Sequence, residues 1–309
     1  MVSFHYQTVL ITGGNSGLGY ETARRCLILQ ARRVIITVRS KAKGQDAISR
    51  LQNDSSVHKT NPMALIEAYE LDLDDYQSTI LFVNKVKHEL TELDVLLCNA
   101  GINVFEHQMS KSGHERHLQV NCFSHFLIIM ELLPLLQATV VIRKAPSRLT
   151  IVGSYSQKRH TLEPVLSAGA SVIDYLDGPS NFDKYKQYPN TKVLVNAFIK
   201  HLATIVPTDE VIMNVLCPGV VDTNIFRNFP VLLSVFMFIW RKTFARSVEE
   251  GGRASVYAMR VAGKESHGQF LSHNEITSEV SMLEGKKGEE VACRVWVEMS
   301  AEISRYRTN

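Results

Sequence analysis

Short apolar runs, rich in β-branched residues, alternate along the chain with longer segments in which apolar residues recur at helical spacing. The runs predict about seven strands, and several are apolar throughout, as parallel strands covered on both faces are. The strands are predicted at residues 8–12, 33–38, 64–71, 94–98, 147–154, 211–216 and 268–272. Helices are predicted at residues 18–29, 42–52, 76–90, 114–136, 188–205 and 247–261, and near 293–304. This alternation predicts an α/β fold, a doubly wound parallel sheet in a single domain over residues 1–309.

The composition is that of an ordinary soluble globular protein, with 45% hydrophobic and 21% charged residues. A formal charge of +3, without a run of Lys or Arg, argues against a nucleic-acid partner. The five cysteines lack CxxC or metal-ligand spacing, which favours reduced, buried thiols. Residues 1–6 lead directly into the first strand, so no signal peptide is predicted. These features predict a cytoplasmic protein and leave open whether it forms a homo-oligomer.

A glycine-rich turn follows the first predicted strand and precedes the first helix. It reads Gly13-Gly14-Asn15-Ser16-Gly17-Leu18-Gly19. Glycines allow the backbone to turn tightly and to approach a pyrophosphate, and the helix N-terminus offers N–H groups to phosphates. Strand, glycine turn and helix in this order predict a Rossmann-type dinucleotide site. A Gly-rich turn without a ligand is the alternative.

Cations follow the second predicted strand at the place where an NAD-binding protein carries an acid. Val38 ends the strand, and Arg39-Ser40-Lys41 follow, with Lys43 close by. An arginine at this point suits the 2′-phosphate of NADP, which it can bind through two hydrogen bonds. The sequence therefore predicts NADP(H) rather than NAD(H). A solvated basic loop at the start of the next helix is the alternative.

Tyr188 and Lys192 stand four residues apart on a predicted helix and share one face. Of the ten tyrosines, only Tyr188 has a lysine four residues later. An ammonium group beside a phenol favours the phenolate, so Lys192 is expected to lower the pKa of Tyr188 and make it a proton donor and acceptor near neutral pH. An ordinary surface contact between the two side chains is the alternative.

The turn Thr12-Gly13-x-x-x-Gly17-x-Gly19 and the Tyr188/Lys192 pair resemble the short-chain dehydrogenase/reductase family, and the resemblance extends over nearly the whole chain. It implies that Ser154, after the fifth strand, hydrogen-bonds a substrate oxygen. It also implies that Asn121 kinks its helix and supports a proton relay. The catalytic set implied in this way is Ser154, Tyr188, Lys192 and Asn121.

The same resemblance implies a set of cofactor contacts. Asp72 and the N–H of Leu73 would meet the adenine, and Asn99-Ala100-Gly101 would lie beside the adenine ribose. Pro218-Gly219, the Val221 backbone and the Thr223 hydroxyl would hold the nicotinamide amide. The full set is Gly13, Asn15, Ser16, Gly17, Leu18, Gly19, Arg39, Ser40, Asp72, Leu73, Asn99, Ala100, Gly101, Tyr188, Lys192, Pro218, Gly219, Val221 and Thr223.

Two segments are expected to shape the substrate pocket. Residues 155–187 form a polar, turn-rich spacer of 33 residues between Ser154 and Tyr188, which resembles the retinol-dehydrogenase-like branch and is expected to rim the pocket. A plain surface insertion is the alternative. Residues 224–245 are expected to form an apolar lid, and their core, 229–240, is too short to span a bilayer. Contact with a membrane surface and a buried core helix are the alternatives for it.

Residues 114–117 read His-Glu-Arg-His, one residue short of the HExxH zinc spacing, and no third ligand is evident. We interpret them as the polar face of a helix and predict no metal site.

The sequence as a whole predicts an NADP(H)-dependent oxidoreductase that interconverts a carbonyl and an alcohol. The apolar lid suggests a bulky hydrophobic small molecule of the polyketide, terpenoid, steroid or retinoid type. The C-terminal part resembles dehydrogenases of fungal secondary metabolism, so a ketoreductase in biosynthesis is expected. A nicotinamide-sensing regulatory protein and a redox-neutral isomerase or cyclase on the same fold are the alternatives.

Overall fold

A computed structural model describes residues 2–221, 246–278 and 280–307, which form an eight-stranded sheet with helices on both faces. The strands are β1 Thr8–Ile11, β2 Arg33–Val38, β3 Leu65–Glu70, β4 Val95–Cys98, β5 Ser147–Val152, β6 Val211–Cys217, β7 Gln269–Ser272 and β8 Glu275–Ile276. Their order in the sheet is β3-β2-β1-β4-β5-β6-β7-β8. Neighbouring strands are parallel except β7 and β8. The seven predicted strands are confirmed. The eighth strand, β8, has two exposed residues and is too short to appear in the sequence as an apolar run.

The seven predicted helices are present, and three short helices lie in segments without a predicted helix. In chain order the helices are α1 Gly17–Ile28, α2 Lys41–Gln52, α3 Ser55–Thr60, α4 Tyr76–Glu89, α5 Ser124–Arg143, α6 Glu163–Ser167, α7 Val172–Asp177, α8 Gln187–Ile205, α9 Val248–Val256 and α10 Gly285–Ser304. The three that were not predicted are α3, α6 and α7. α5 runs seven residues past the predicted end at 136, and α10 begins eight residues before the predicted start at 293. The predicted lid at 224–245 lies outside the described residues.

The central strands are buried on both faces of the sheet. Every residue of β4 and β6 is buried. On one face the core joins α4, α5, α8 and α10, where the rings of Phe126 and Phe198 stack with centroids 3.9 Å apart and Trp296 packs 4.7 Å from Phe198. α1, α2 and α9 cover the other face. The strand order reverses at β1, which lies between β2 and β4, and such a point opens a crevice at the carboxyl edge of the sheet.

The spacer at 155–187 is not an open loop, because α10 fixes it against the body of the protein. It contains a 3₁₀ turn at Tyr155–Arg159 and the short helices α6 and α7. Arg294 of α10 donates to the carbonyls of Leu166 and Ala170. Glu298 accepts from the Ser171 hydroxyl at 2.6 Å and from the backbone N–H of Ile173 at 2.9 Å. The C-terminal helix therefore positions the segment that leads into α8.

Among the described helices, the continuous helical stretch Leu118–Arg143 is long and apolar enough to be considered as a membrane span. Its most apolar window is 56% buried inside the protein. The same stretch supplies Phe126 to the core stack, as a central helix of a packed sheet protein does.

Candidate active site

A cavity of about 1360 Å³ opens at the carboxyl ends of the central strands and is lined by most of the residues predicted from the sequence. Predicted residues in its wall are Gly13, Asn15, Ser16, Gly17, Leu18, Gly19, Arg39, Asp72, Leu73, Asn99, Ala100, Gly101, Ser154, Tyr188, Pro218, Gly219 and Val221. Ser40 is not part of this wall and stands at the N-cap of α2. Thr223 lies outside the described residues. Asn121 and Lys192 lie behind the wall, next to Gly101.

The glycine turn has the geometry of a phosphate cradle. Gly13 has φ +67°, a conformation that favours glycine, and its N–H donates to Thr37 Oγ1 at 3.1 Å. A Cβ on Gly19 would lie 2.5 Å from the carbonyl oxygen of Gly13, so a side chain there would fill the cradle. The Ser16 side chain makes no capping bond to α1, which leaves the first N–H groups of the helix for a ligand. The turn fits a dinucleotide pyrophosphate.

Beneath this turn, a buried network centred on Thr12 joins β1 to β4. Thr12 Oγ1 accepts from the backbone N–H groups of Asn99 at 2.9 Å and Ala100 at 3.0 Å. It also lies 3.1 Å from Nε2 of His125. Burial lowers the pKa of His125 to about 3, so its imidazole is neutral, and the doubly accepting Thr12 hydroxyl donates its proton to Nε2. The sequence showed His125 near Asn121, but nothing in the pattern paired it with Thr12.

Cations surround the end of the cavity nearest to β2 and β3. Arg39 and Lys43 line it, and Lys111 Nζ forms an ion pair with Asp72 Oδ2 at 2.7 Å. Burial opposes the charge of Asp72, but the hydrogen bond and charge of Lys111, with a smaller contribution from Arg39, hold its pKa below the ordinary value. Lys111 comes from a turn that is distant in sequence, and no motif in the sequence pairs it with Asp72.

Ser154 and Tyr188 meet at the opposite end of the cavity. Ser154 follows β5, and its Oγ accepts from the Ser156 N–H at 3.2 Å and lies 2.9 Å from Ser156 Oγ. A hydrogen bond between Ser154 and the Tyr188 phenol favours the phenolate, but burial outweighs it and raises the pKa of Tyr188 above its ordinary value. The phenol is therefore neutral at pH 7.

Lys192 lies one helical turn beyond Tyr188 but does not act on it as expected. Its Nζ is 5.4 Å from the centroid of the Tyr188 ring and donates to the carbonyl of Val152 at 2.8 Å. Burial lowers the pKa of Lys192 to about 8. The expectation that Lys192 lowers the pKa of Tyr188 is wrong for this structure, because desolvation of both groups dominates.

Asn121 lies in an irregular π-helical turn, Leu118–Phe123, so the expected break in this helix is present. Its Oδ1 accepts from the N–H of Ile102 at 2.9 Å. Its Nδ2 donates to the Ile102 carbonyl at 3.1 Å and to Thr191 Oγ1 at 3.2 Å. Asn121 thus ties the turn after β4 to the helix that carries Tyr188 and Lys192.

The interpretation of residues 114–117 as a polar helix face is wrong. Glu115 and His117 are fully buried, and Glu115 Oε1 lies 2.8 Å from Nδ1 of His117. Glu115 Oε2 accepts from Gln187 Nε2 at 2.9 Å, and Gln187 directly precedes Tyr188. His114 lies between two carboxylates, 2.7 Å from Asp177 and 3.1 Å from Glu302. Within residues 2–221, 246–278 and 280–307, no cluster of three or more such side chains is arranged to hold a metal ion.

Three comparisons relate this architecture to known proteins. The solved structure of the Pseudomonas aeruginosa RhlG/NADP active-site complex superposes with a TM-score of 0.66 at 23% identity, over 87% of this chain and 95% of that one. The 3-ketoacyl-(acyl-carrier-protein) reductase from Brucella melitensis, complexed with NADH, superposes with a TM-score of 0.64 at 18% identity, over 87% and 97% of the two chains. At these sequence identities the structural similarity establishes the fold alone.

The sequence comparisons go further. Residues 7–159 match the family model described as short chain dehydrogenase. The short chain dehydrogenase sor7 of Hypocrea jecorina is 48% identical over 272 residues, which are 87% of this chain and 76% of the relative. With the glycine cradle and the Ser154/Tyr188 pair in one cavity, the conclusion is direct: the chain belongs to the short-chain dehydrogenase family, oxidoreductases that act on CH–OH and C=O groups.

Proposed function

We propose that this protein uses NADPH to reduce a carbonyl group on a bulky hydrophobic small molecule, with Ser154, Tyr188 and Lys192 as its catalytic residues. The observation that carries the proposal is that Ser154 and Tyr188 line one cavity together with the glycine turn Gly13–Gly19. A serine and a tyrosine hydroxyl in one wall can bind and protonate a single carbonyl oxygen.

The protonated phenol of Tyr188 can serve as the proton donor that reduction requires. A reductase needs a proton donor at its reacting oxygen, and burial raises the pKa of Tyr188, which keeps the phenol protonated. The nicotinamide supplies the hydride chemistry when bound. Tyr188 gives its Oη proton to the carbonyl oxygen, Ser154 donates a second hydrogen bond to it, and the relay through Lys192 and Asn121 returns a proton to Tyr188.

NADP(H) is proposed over NAD(H) because of the charges at the other end of the cavity. No acid ends β2, since Val38 occupies that place, and the cations Arg39 and Lys43 line the wall. In the described part of the wall the acids are Asp72 and Asp74, which are paired with Lys111 and Arg116. A 2′-phosphate would meet positive charge here, whereas a free ribose diol would meet no carboxylate from β2. The fold alone does not decide this point, because it accepts both cofactors.

The substrate class is proposed from the size of the cavity and from the apolar stretch at 229–240. Ile102, Phe105 and Val120 add apolar surface to the cavity wall. A polyketide, terpenoid, steroid or retinoid type of molecule fits such a space, and a biosynthetic ketoreductase in the cytoplasm is the corresponding role. Peripheral contact of residues 229–240 with a membrane and assembly into homo-oligomers stay predictions.

Cofactor oxidation by the purified protein tests the proposal. NADPH and NADH are compared over a panel of bulky ketones and aldehydes, with Tyr188→Phe and, as a control, Tyr6→Phe at an exposed site. We expect turnover with NADPH that Tyr188→Phe lowers by at least about a hundredfold, the usual contribution of a positioned general acid, while Tyr6→Phe leaves it unchanged. Tight NADPH binding without turnover would favour the sensor, and turnover without net cofactor consumption would favour the isomerase or cyclase.

A further inference from the structure

Three cations line the substrate end of the cavity within five residues of Ser154 or Tyr188. Lys158 and Arg159 belong to the 3₁₀ turn that begins one residue after Ser154, and Lys184 precedes Tyr188 by four residues. All three side chains are exposed to solvent within the mouth of the cavity. The two segments that carry them are joined by a hydrogen bond from Lys186 Nζ to the carbonyl of Arg159 at 3.2 Å.

No carboxylate balances these charges in the part of the wall that the structure describes. The two acids that line the cavity, Asp72 and Asp74, follow β3 and are paired with Lys111 at 2.7 Å and Arg116 at 3.0 Å. Asp183 is close in sequence, but it does not line the cavity, and its Oδ1 accepts from the N–H of Tyr185 at 2.7 Å. Glu163 also lies outside the wall. The mouth is therefore positive.

Aromatic rings accompany the cations. Lys158 Nζ lies 4.7 Å from the centroid of the Tyr155 ring. Lys184 Nζ lies 5.2 Å from that of Tyr185. Phe105 meets Tyr185 edge to face at 6.2 Å, and all three rings line the cavity. Such rings stack against a flat, unsaturated molecule, and the neighbouring cations are placed to hold an anionic group on it.

The dinucleotide does not account for these cations. Its pyrophosphate fits the cradle at Gly13–Gly19, and a 2′-phosphate would meet Arg39 and Lys43 beyond that cradle. Lys158, Arg159 and Lys184 belong instead to the segments that flank the reacting pair, on the substrate side. An unbalanced positive mouth next to a reaction centre favours substrates of opposite charge through attraction and binding.

We propose that the natural substrate is a flat aromatic or conjugated carbonyl compound carrying an acidic group, a carboxylate or an acidic phenol or enol. Lys158, Arg159 and Lys184 bind that group, and Tyr155, Tyr185 and Phe105 stack against the ring. This proposal rests on the proposed function, which assigns the reacting end of the cavity. It adds that the hydrophobic substrate named there carries an acidic group.

Matched probes test it. 4-Acetylbenzoate and its methyl ester share one reducible ketone and one ring but differ in charge. We expect kcat/KM with NADPH to favour the carboxylate, and the preference to shrink between low and high salt. Each of Lys158→Gln, Arg159→Gln and Lys184→Gln should lower kcat/KM for the carboxylate by about fivefold, as one solvent-screened ion pair allows, and leave the ester unaffected. Lys59→Gln, at an exposed site away from the cavity, is the control.

Binding separates this inference from the proposed function. Titration of both probes into the protein saturated with NADP⁺ needs no turnover, so a salt-sensitive preference for the carboxylate supports the charged mouth even if neither probe is reduced. Equal affinity for acid and ester overturns it. Acetoacetyl-coenzyme A, which carries phosphates, and its uncharged N-acetylcysteamine analogue form a second pair of probes. If only this pair shows a preference for the charged member, the inference is also overturned, because the cations would then bind the phosphate of a carrier and not an acidic group on the substrate.

Discussion

The ammonium group of Lys192 donates to the backbone carbonyl of Val152 at 2.8 Å, which fixes a buried cation at the end of β5, two residues before Ser154. The side chain is 4% exposed. Its position follows from the one-turn spacing to Tyr188 on α8, which brings both side chains to the same edge of the sheet. Burial of an ammonium group that has one hydrogen bond to a carbonyl lowers the stability of the fold. We explain the presence of Lys192 at this position by its predicted catalytic role.

Lys192→Met is expected to stabilise the fold at neutral pH while abolishing turnover. Burial lowers the pKa of Lys192 to about 8, below the ordinary 10.5, so the folded chain binds fewer protons than the unfolded chain between these values. The stability from this group therefore rises with pH across that window, and the full penalty applies below pH 8. Removing the charge should raise the free energy of unfolding at pH 7 by about 1–3 kcal/mol. The loss of the hydrogen bond to Val152 reduces this gain.

Thermal unfolding of both proteins at pH 7 and at pH 10 checks this. The advantage of the variant should shrink at the higher pH, where the wild-type lysine is neutral in the folded state. A variant that is less stable than wild type at pH 7 would show that the hydrogen bond to Val152 outweighs the desolvation of the charge.

Arg39→Gln is expected to weaken NADPH without affecting NADH. The guanidinium offers two parallel hydrogen bonds to a 2′-phosphate, and NADH has no group there. The preference for NADPH, measured as the ratio of the two kcat/KM values, should fall by about ten- to a hundredfold, as loss of a charge-assisted pair implies. Lys43→Gln should have a smaller effect in the same direction. Lys41→Gln is the matched control, because Lys41 is exposed beside these residues but does not line the cavity. An unchanged ratio in Arg39→Gln would remove the argument for NADP.

The sequence predicted the parts of this molecule that depend on local pattern. Seven strands and the order of the site residues followed from apolar runs and from motifs with fixed backbone demands, such as Gly13 at positive φ. What it missed depends on contacts between distant segments. Lys111 reaches Asp72 across 39 positions, and α10 fixes Ser171 across 127. Spacing along one element carries no information about such pairs.

The error at residues 114–117 has the same origin. A run of four polar residues predicts a polar helix face, but Glu115 and His117 form a hydrogen-bonded pair and are buried. The pKa of Tyr188 also differs from the expectation, because spacing predicts proximity to Lys192 but carries no information on desolvation, which dominates the pKa of both groups.

Asn121→Leu is expected to cost both stability and activity. The substitution leaves the N–H and the carbonyl of Ile102 without their partner in a half-buried turn, and each such loss costs up to about 1–3 kcal/mol. Asn121→Asp keeps the acceptor for the Ile102 N–H but loses the donor to Thr191, so it separates packing from the proposed relay. Denaturant unfolding and kcat are measured together. If Asn121→Leu unfolds at the wild-type midpoint, the two Ile102 bonds do not stabilise the turn.

His114→Gln is expected to destabilise the fold at low pH more than at high pH. Burial disfavours the charged imidazole, but the hydrogen bonds and charges of Asp177 and Glu302 outweigh it and raise the pKa of His114 above its ordinary value. A raised folded pKa gives stability that is fully present below the unfolded pKa, about 6.5, and is lost as pH rises through the folded value. The side chain joins the end of α7 to α10, so its charge bears on the segment that leads into α8.

The difference in Tm between wild type and His114→Gln, measured from pH 6 to pH 9, should therefore be largest at pH 6. A contribution of about 1 kcal/mol would correspond to roughly 2 °C in a chain of this size. His58→Gln, at an exposed histidine of α3, is the matched control for the substitution itself. A difference that is constant over the range would mean that His114 acts only as a neutral hydrogen-bond donor. A difference that grows with pH would mean that burial, rather than the two carboxylates, sets its charge.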